Sequence, residues 1–182
     1  MCGISAMLGS PDKNVILKMN SLQSHRGPDG SMIWEDEYCA LGHTRLSIVD
    51  LDGSVQPIGS DHKSTIVANG EIYNYLELRG AMKNYPWRTN GDSETILALH
   101  STSKMRNKTT GPIKRCGWSL TSQGYADKGN PAEEHAKWIS KLDGMFAFCI
   151  WDSRNNQLIL ARDQLGIKPL LRTIVSESLL IS

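Results

Sequence analysis

The run Met145-Phe146-Ala147-Phe148-Cys149-Ile150-Trp151 carries an apolar side chain at every position. A β-strand sends alternate side chains to opposite faces, so a strand of this composition must be covered on both. Seven residues are far too few to cross a bilayer. The expectation is therefore a layered domain in which this strand lies inside. Leu158–Ala161 reads as its partner, with Ser153-Arg154-Asn155-Asn156 as the hairpin turn between them.

Other segments fit the same class. Gly3–Leu8, Cys39–Arg45 and Ser64–Asn69 read as strands, and Asn69-Gly70 favours a tight reversal. Lys13–Gln23 places Val15, Ile16, Met19 and Leu22 at helical spacing, which predicts a helix packed on one face. Arg26-Gly27-Pro28-Asp29-Gly30 breaks that pattern and marks a turn. Asn74, with Glu77 three residues on, reads as a capping box opening a helix over Tyr75–Lys83. Asp92-Ser93-Glu94 opens another helix through Leu99. From Ser101 to Pro131 the chain is polar and without period, which predicts a long loop or insertion.

The 182 residues suffice for one domain, and the 40% hydrophobic and 21% charged composition is that of a soluble globular protein. A net charge of +1 without a basic stripe or acidic tail argues against nucleic acid or an anionic membrane as partner. No basic region precedes the first apolar run, so a secretory signal is not expected. The four cysteines, Cys2, Cys39, Cys116 and Cys149, show no CxxC spacing, so no metal site is expected. A reduced, cytoplasmic setting is the default.

Cys2 is the first chemical signal in the chain. If Met1 is removed, Cys2 holds a thiol nucleophile and a terminal amine on one Cα. An α-amine has an ordinary pKa of roughly 7.7–8.0, which suits a general base without a histidine. Gly3 beside it is expected to leave room for substrate. A second-position cysteine alone is a weak signal, but it does not stand alone. Met1-Cys2-Gly3-Ile4, Arg26-Gly27-Pro28-Asp29, the string from Gly42 to Asp50, Asn69-Gly70-Glu71-Ile72-Tyr73-Asn74-Tyr75, Asp92-Ser93-Glu94, Leu142–Phe148, Arg162-Asp163 and Gly166–Leu170 occur in that order. Together they resemble the N-terminal glutaminase domain of glutamine-hydrolysing asparagine synthetases, a class II glutamine amidotransferase, over nearly the whole of residues 1–182 except 101–131.

The resemblance implies an α+β fold, the four-layer αββα sandwich of the N-terminal-nucleophile hydrolases. It implies that Cys2 attacks the carboxamide of L-glutamine, with the Asn69 side-chain amide and the Gly70 N–H as oxyanion donors. A plain turn is the competing reading of Asn69-Gly70. It further implies that Arg45 binds the substrate carboxylate, that Leu46, Ser47, Ile48 and Val49 wall the pocket, and that Glu71 and Asp92 lie near the substrate ammonium. A helix N-cap is the competing role of Asp92. His25 and His43 hold no catalytic role in the family. Arg26–Asp29 and Arg162–Asp163 are expected to fix loops, and Cys39, Cys116 and Cys149 to be inert.

The resemblance implies no cofactor in this domain. ATP and Mg are expected only in a synthetase domain or subunit that no segment here resembles, with room left for a homodimer. The departures are the 101–131 stretch and Leu171, where the family usually has Tyr. Two alternatives to the asparagine pathway remain: the same glutaminase serving another amide acceptor, or a glutamine-binding module without turnover.

Overall fold

The computed structural model describes residues 1–47, 50, 53–60, 63–103, 117–121, 132–176 and 178–182. Ile48, Val49, Cys116 and most of the stretch 101–131 lie outside these residues. The described elements are β1 (Gly3–Leu8), α1 (Lys13–Leu22), β2 (Gly30–Glu35), β3 (Cys39–Arg45), β4 (Ile58–Gly59), β5 (Ser64–Ile72), α2 (Tyr75–Ala81), α3 (Ser93–Thr102), β6 (Gly117–Thr121), α4 (Ala132–Ile139), β7 (Gly144–Asp152), β8 (Gln157–Arg162), β9 (Arg172–Val175) and β10 (Ser178–Ile181).

They form two five-stranded sheets, ordered β2-β3-β1-β10-β9 and β4-β5-β7-β8-β6. Every pairing is antiparallel except β6 with β8. The period of two along β7 explains the layering. Ala147, Cys149 and Trp151 point between the sheets and pack with Ile4, Ala6 and Leu8 of β1. Phe146, Phe148 and Ile150 point the other way, against Ile96, Leu97 and Leu99 of α3 and Trp138 of α4. On the far side of the first sheet, Met7 and Ala40 meet Ile16 of α1. The result is the four-layer αββα sandwich.

Several local expectations change in the fold. Helix α1 buries Ile16 but leaves Leu22 70% exposed, and Asn20 takes the inner position instead. Its amide donates to Ser31 Oγ and Met32 O, and Gly42 makes space for it: a Cβ there would lie 2.5 Å from Asn20 Oδ1. Asn74 does precede α2, but its side chain caps nothing there. It donates to Lys141 O and accepts from the Asp143 N–H, tying α2 to the start of β7. Strand β5 does not reverse at Asn69-Gly70 but runs on to Ile72, because β7 pairs with it over its whole length. Within the stretch expected as a loop, residues 117–121 form an edge strand parallel to β8.

Candidate active site

Cys2 immediately precedes β1, at the mouth of the space between the sheets. Its Sγ accepts the Leu46 N–H at 3.4 Å and lies 3.7 Å from Leu46 O. Arg26 Nε donates to Cys2 O at 3.2 Å, and the Gly3 N–H donates to Thr44 Oγ1 at 3.0 Å. The space beside Gly3 is taken up by protein: a Cβ there would lie 2.5 Å from Thr44 Oγ1 and 2.7 Å from Gln23 Oε1. Gly3 therefore makes room for its own scaffold, and not for substrate as expected.

The Arg26–Asp29 turn supports the next loop. A Cβ on Gly27 would lie 2.3 Å from the Thr44 carbonyl, so glycine lets the turn close on β3. The Asp29 N–H donates to Arg45 O, and the Asp29 carboxylate receives the Ser47 N–H at 2.7 Å. Arg45 Nη2 donates to Asp50 O at 2.7 Å. Bonds from Ser54 Oγ and the Asn90 N–H hold the Asp50 carboxyl below its ordinary range.

Backbone geometry prepares the opposite wall. Odd-numbered residues of β5 direct their N–H and C=O toward β7, as the continuing bond from Tyr73 N to Asp143 O requires. Even-numbered residues therefore face the open edge. There Ile66 pairs with β4, Ala68 is bonded at both N and O by the Gln56 side chain, and the Ile72 N–H goes to Asp92 Oδ2 at 2.8 Å. Gly70 lies between these capped positions with its N–H free among the described residues. Its φ is +154°, and a Cβ would lie 2.1 Å from Met145 O, so only glycine fits. Asn69 beside it is buried, and no described residue hydrogen-bonds its side chain.

These walls enclose a cavity of about 150 Å³ that Cys2, Arg45, Leu46, Asn69, Gly70, Glu71 and Asp92 all line. Ser47 is not among its lining residues, and Ile48 and Val49 lie outside the described residues. The lining carries two cationic side chains, Arg45 and Lys168, and two carboxylates, Glu71 and Asp92. Burial pushes the Asp92 carboxyl up, the backbone bonds from Ile72 and Ser93 oppose this, and the neighbouring Glu71 adds to the rise. A bound cation would relieve that cost. A helix N-cap and a cavity wall are compatible for Asp92. It precedes α3 without a side-chain cap bond, leaving its oxygens for Ile72, Ser93 and the cavity.

Gln56, which the sequence does not single out, lines the cavity together with His43 and Lys168, and Arg26, expected to fix a loop, holds the Cys2 carbonyl. His43 is buried with Nε2 unpartnered, and burial lowers its pKa to about 4, so it is neutral near pH 7. His25 is not among the lining residues. Lys168 stands in a quoted motif, but nothing in its spacing indicates a side chain turned toward the N-terminus. Cys149 is buried and its thiol is pushed up by desolvation, consistent with an inert core thiol. Among the described residues, no group of three or more His, Cys, Asp or Glu is placed to hold a metal ion, and no helix is long and apolar enough to cross a membrane.

Comparison with known proteins fits this arrangement. The family description of the glutamine amidotransferase domain matches residues 1–110 and 132–182, leaving out 111–131. A glutamine-hydrolysing asparagine synthetase of Asparagus officinalis is 36% identical over 93% of this chain, and one of Bacillus subtilis is 34% identical over 97%. The chain spans about a quarter of the length of these relatives (25% of each). Among solved structures, the glutamine phosphoribosylpyrophosphate amidotransferase of B. subtilis superposes on all of this chain and 41% of its own, with a TM-score of 0.68 at 18% identity. That likeness is one of fold, the αββα sandwich. With the family match covering both walls of the cavity, the chain belongs to the glutamine amidotransferase domain family.

Proposed function

We propose that this chain hydrolyses L-glutamine to L-glutamate and ammonia, and that the ammonia serves an ATP- and Mg-dependent asparagine synthetase domain or subunit. Residues 1–182 act as one glutaminase domain in a reducing cytoplasm, where Cys2 stays a thiol. The observation that carries the reading is the one cavity lined by Cys2, by Asn69 and Gly70, whose side-chain amide and N–H have no partner among the described residues, by Arg45 and by Glu71 and Asp92. A glutamine fits this polarity with its α-carboxylate toward Arg45, its α-ammonium toward the carboxylates, and its carboxamide toward Cys2.

The active form begins at Cys2. With Met1 attached, the Cys2 nitrogen is an amide with no basic lone pair, and Met1 itself lines the cavity. Once freed, the amine takes the thiol proton and Sγ bonds to the carboxamide carbon. Asn69 and Gly70 donate to the resulting oxyanion. The carbon–nitrogen bond breaks as the ammonium hydrogen passes to the leaving nitrogen, giving ammonia and a thioester. Water, deprotonated by the same amine, adds to the thioester. The carbon–sulfur bond breaks, glutamate leaves and the thiol regains its proton.

The test is glutamate release from glutamine by protein shown by mass to start at Cys2. Cys2→Ala should fold and release none, since loss of a nucleophile can cost about a millionfold. A Cys2→Ala protein as active as the parent would defeat the reading. Ammonia release coupled to asparagine formation in the full-length protein, and not to another amide product, tests the acceptor.

A further inference from the structure

Lys168 is a buried cation with no carboxylate paired to its ammonium among the described residues. It follows β8 in the loop that Asp163 organises by accepting the N–H groups of Leu165, Ile167 and Lys168. Only 4% of the residue is exposed. Lysine is seldom buried without a compensating anion, yet no described carboxylate pairs with it, and its Nζ lies 3.0 Å from Met1 Sδ. The buried ammonium thus lies against the residue whose peptide bond must be cut to free the Cys2 amine.

Resting on the proposed glutaminase reading, we infer that Lys168 is a positioning residue that sets the charge state of the mature N-terminus. Removal of Met1 takes away the described partner of Nζ and leaves the ammonium facing the cavity that holds Cys2. A fixed positive charge disfavours a second one nearby, so it lowers the pKa of the Cys2 amine and keeps it the free base near pH 7. A free-base amine can accept the thiol proton in the first step.

Two other fixed cations stand near Cys2 and act in the same direction: Arg26, from the turn after α1, and Arg45, on β3, each of which already donates to a backbone carbonyl. Lys168 differs in being buried with no described carboxylate paired to its ammonium. His43, on β3, is neutral because burial lowers its pKa to about 4. Glu71 of β5 and Asp92 before α3 are carboxylates on the ammonium side of the cavity. They would raise the pKa of a nearby amine, which makes a compensating cation the more useful.

The experiment compares processed Lys168→Met, Lys168→Arg and parent proteins across pH 5.5–9.5. It reads kcat/KM for glutamine and, without substrate, the rate of Cys2 alkylation by iodoacetamide. In Lys168→Met the acidic limb of both profiles should move up by about one pH unit or more, since at an effective dielectric near 20 a charge roughly 12 Å away is worth about one unit and a closer one more. Activity should drop about tenfold at pH 6.5 and converge with the parent at pH 9. Lys168→Arg should restore the limb. Unchanged limbs in a folded, processed Lys168→Met protein would overturn the inference, as would a uniform loss at all pH values. Failure of the underlying reading looks different: activity would survive in Cys2→Ala or in protein retaining Met1.

Discussion

The guanidinium Nε of Arg26 donates to the carbonyl of Cys2 at 3.2 Å, so the turn after α1 fixes the backbone of the proposed nucleophile. A charge-assisted bond of this kind contributes about 1.5–3 kcal/mol. Arg26→Leu should lower kcat for glutamine hydrolysis by roughly ten- to a hundredfold, with a smaller change in KM, because the lost contact orients Cys2 and not the substrate. Steady-state kinetics check this. A change confined to KM would place Arg26 at the substrate instead.

Gly70→Ala tests the free N–H on the β5 edge. The added Cβ would meet Met145 O at 2.1 Å and sit at a φ of +154°. Strain of this kind costs about 1–3 kcal/mol before any overlap is counted. The variant should lose several degrees in Tm and nearly all glutamine turnover. A fully stable, fully active Gly70→Ala protein would show that the β5–β7 approach is looser than described.

Asp92 should trade stability for binding. Its carboxyl is raised by burial, so the folded state holds the proton more tightly than the unfolded chain. Stability therefore falls as pH rises through the window from the ordinary carboxylate pKa to the raised one, and the ionised group is a cost at pH 7. Asp92→Asn removes that cost while its side-chain oxygen can still accept the Ile72 N–H. Thermal melts should show an unliganded variant at least as stable as the parent, and no longer stabilised by millimolar glutamine. A variant that still gains stability from glutamine would take Asp92 out of the ammonium site.

Two buried histidines should make the fold acid-sensitive. Burial lowers both His43 and His135 from 6.5 to about 4. Between those values the unfolded chain binds protons that the folded protein refuses, so stability is full above about pH 6.5 and is lost as pH falls toward 4. Each shift corresponds to something on the order of 3 kcal/mol. Denaturant titrations at stepped pH should show this decline, and His135→Gln should flatten part of it. His135 sits in the α4–β8 contact, accepting from Trp138 Nε1 and facing Gln157 Oε1, so the change tests that region apart from the cavity.

The sequence by itself determined the layered class, because an apolar residue at every position of Met145–Trp151 permits only a strand covered on both faces. Of the site residues that the family resemblance implies, Cys2, Arg45, Leu46, Asn69, Gly70, Glu71 and Asp92 line one cavity, whereas Ser47 is not among its lining residues and Ile48 and Val49 lie outside the described ones. Tertiary structure alone decided how they are held. Asn69-Gly70 is a favoured turn as a dipeptide, but pairing with β7 extends it, and the alternation of strand hydrogen bonds then leaves the Gly70 N–H free. Gln56 reaches across twelve positions to cap Ala68, Arg26 reaches back to Cys2, and Lys168 lies against Met1 from 167 residues away. Such contacts leave no period or spacing in the chain. They arise when β1, β3 and β5 converge at one end of the sandwich, where polar groups must find partners across the fold or remain open to a ligand.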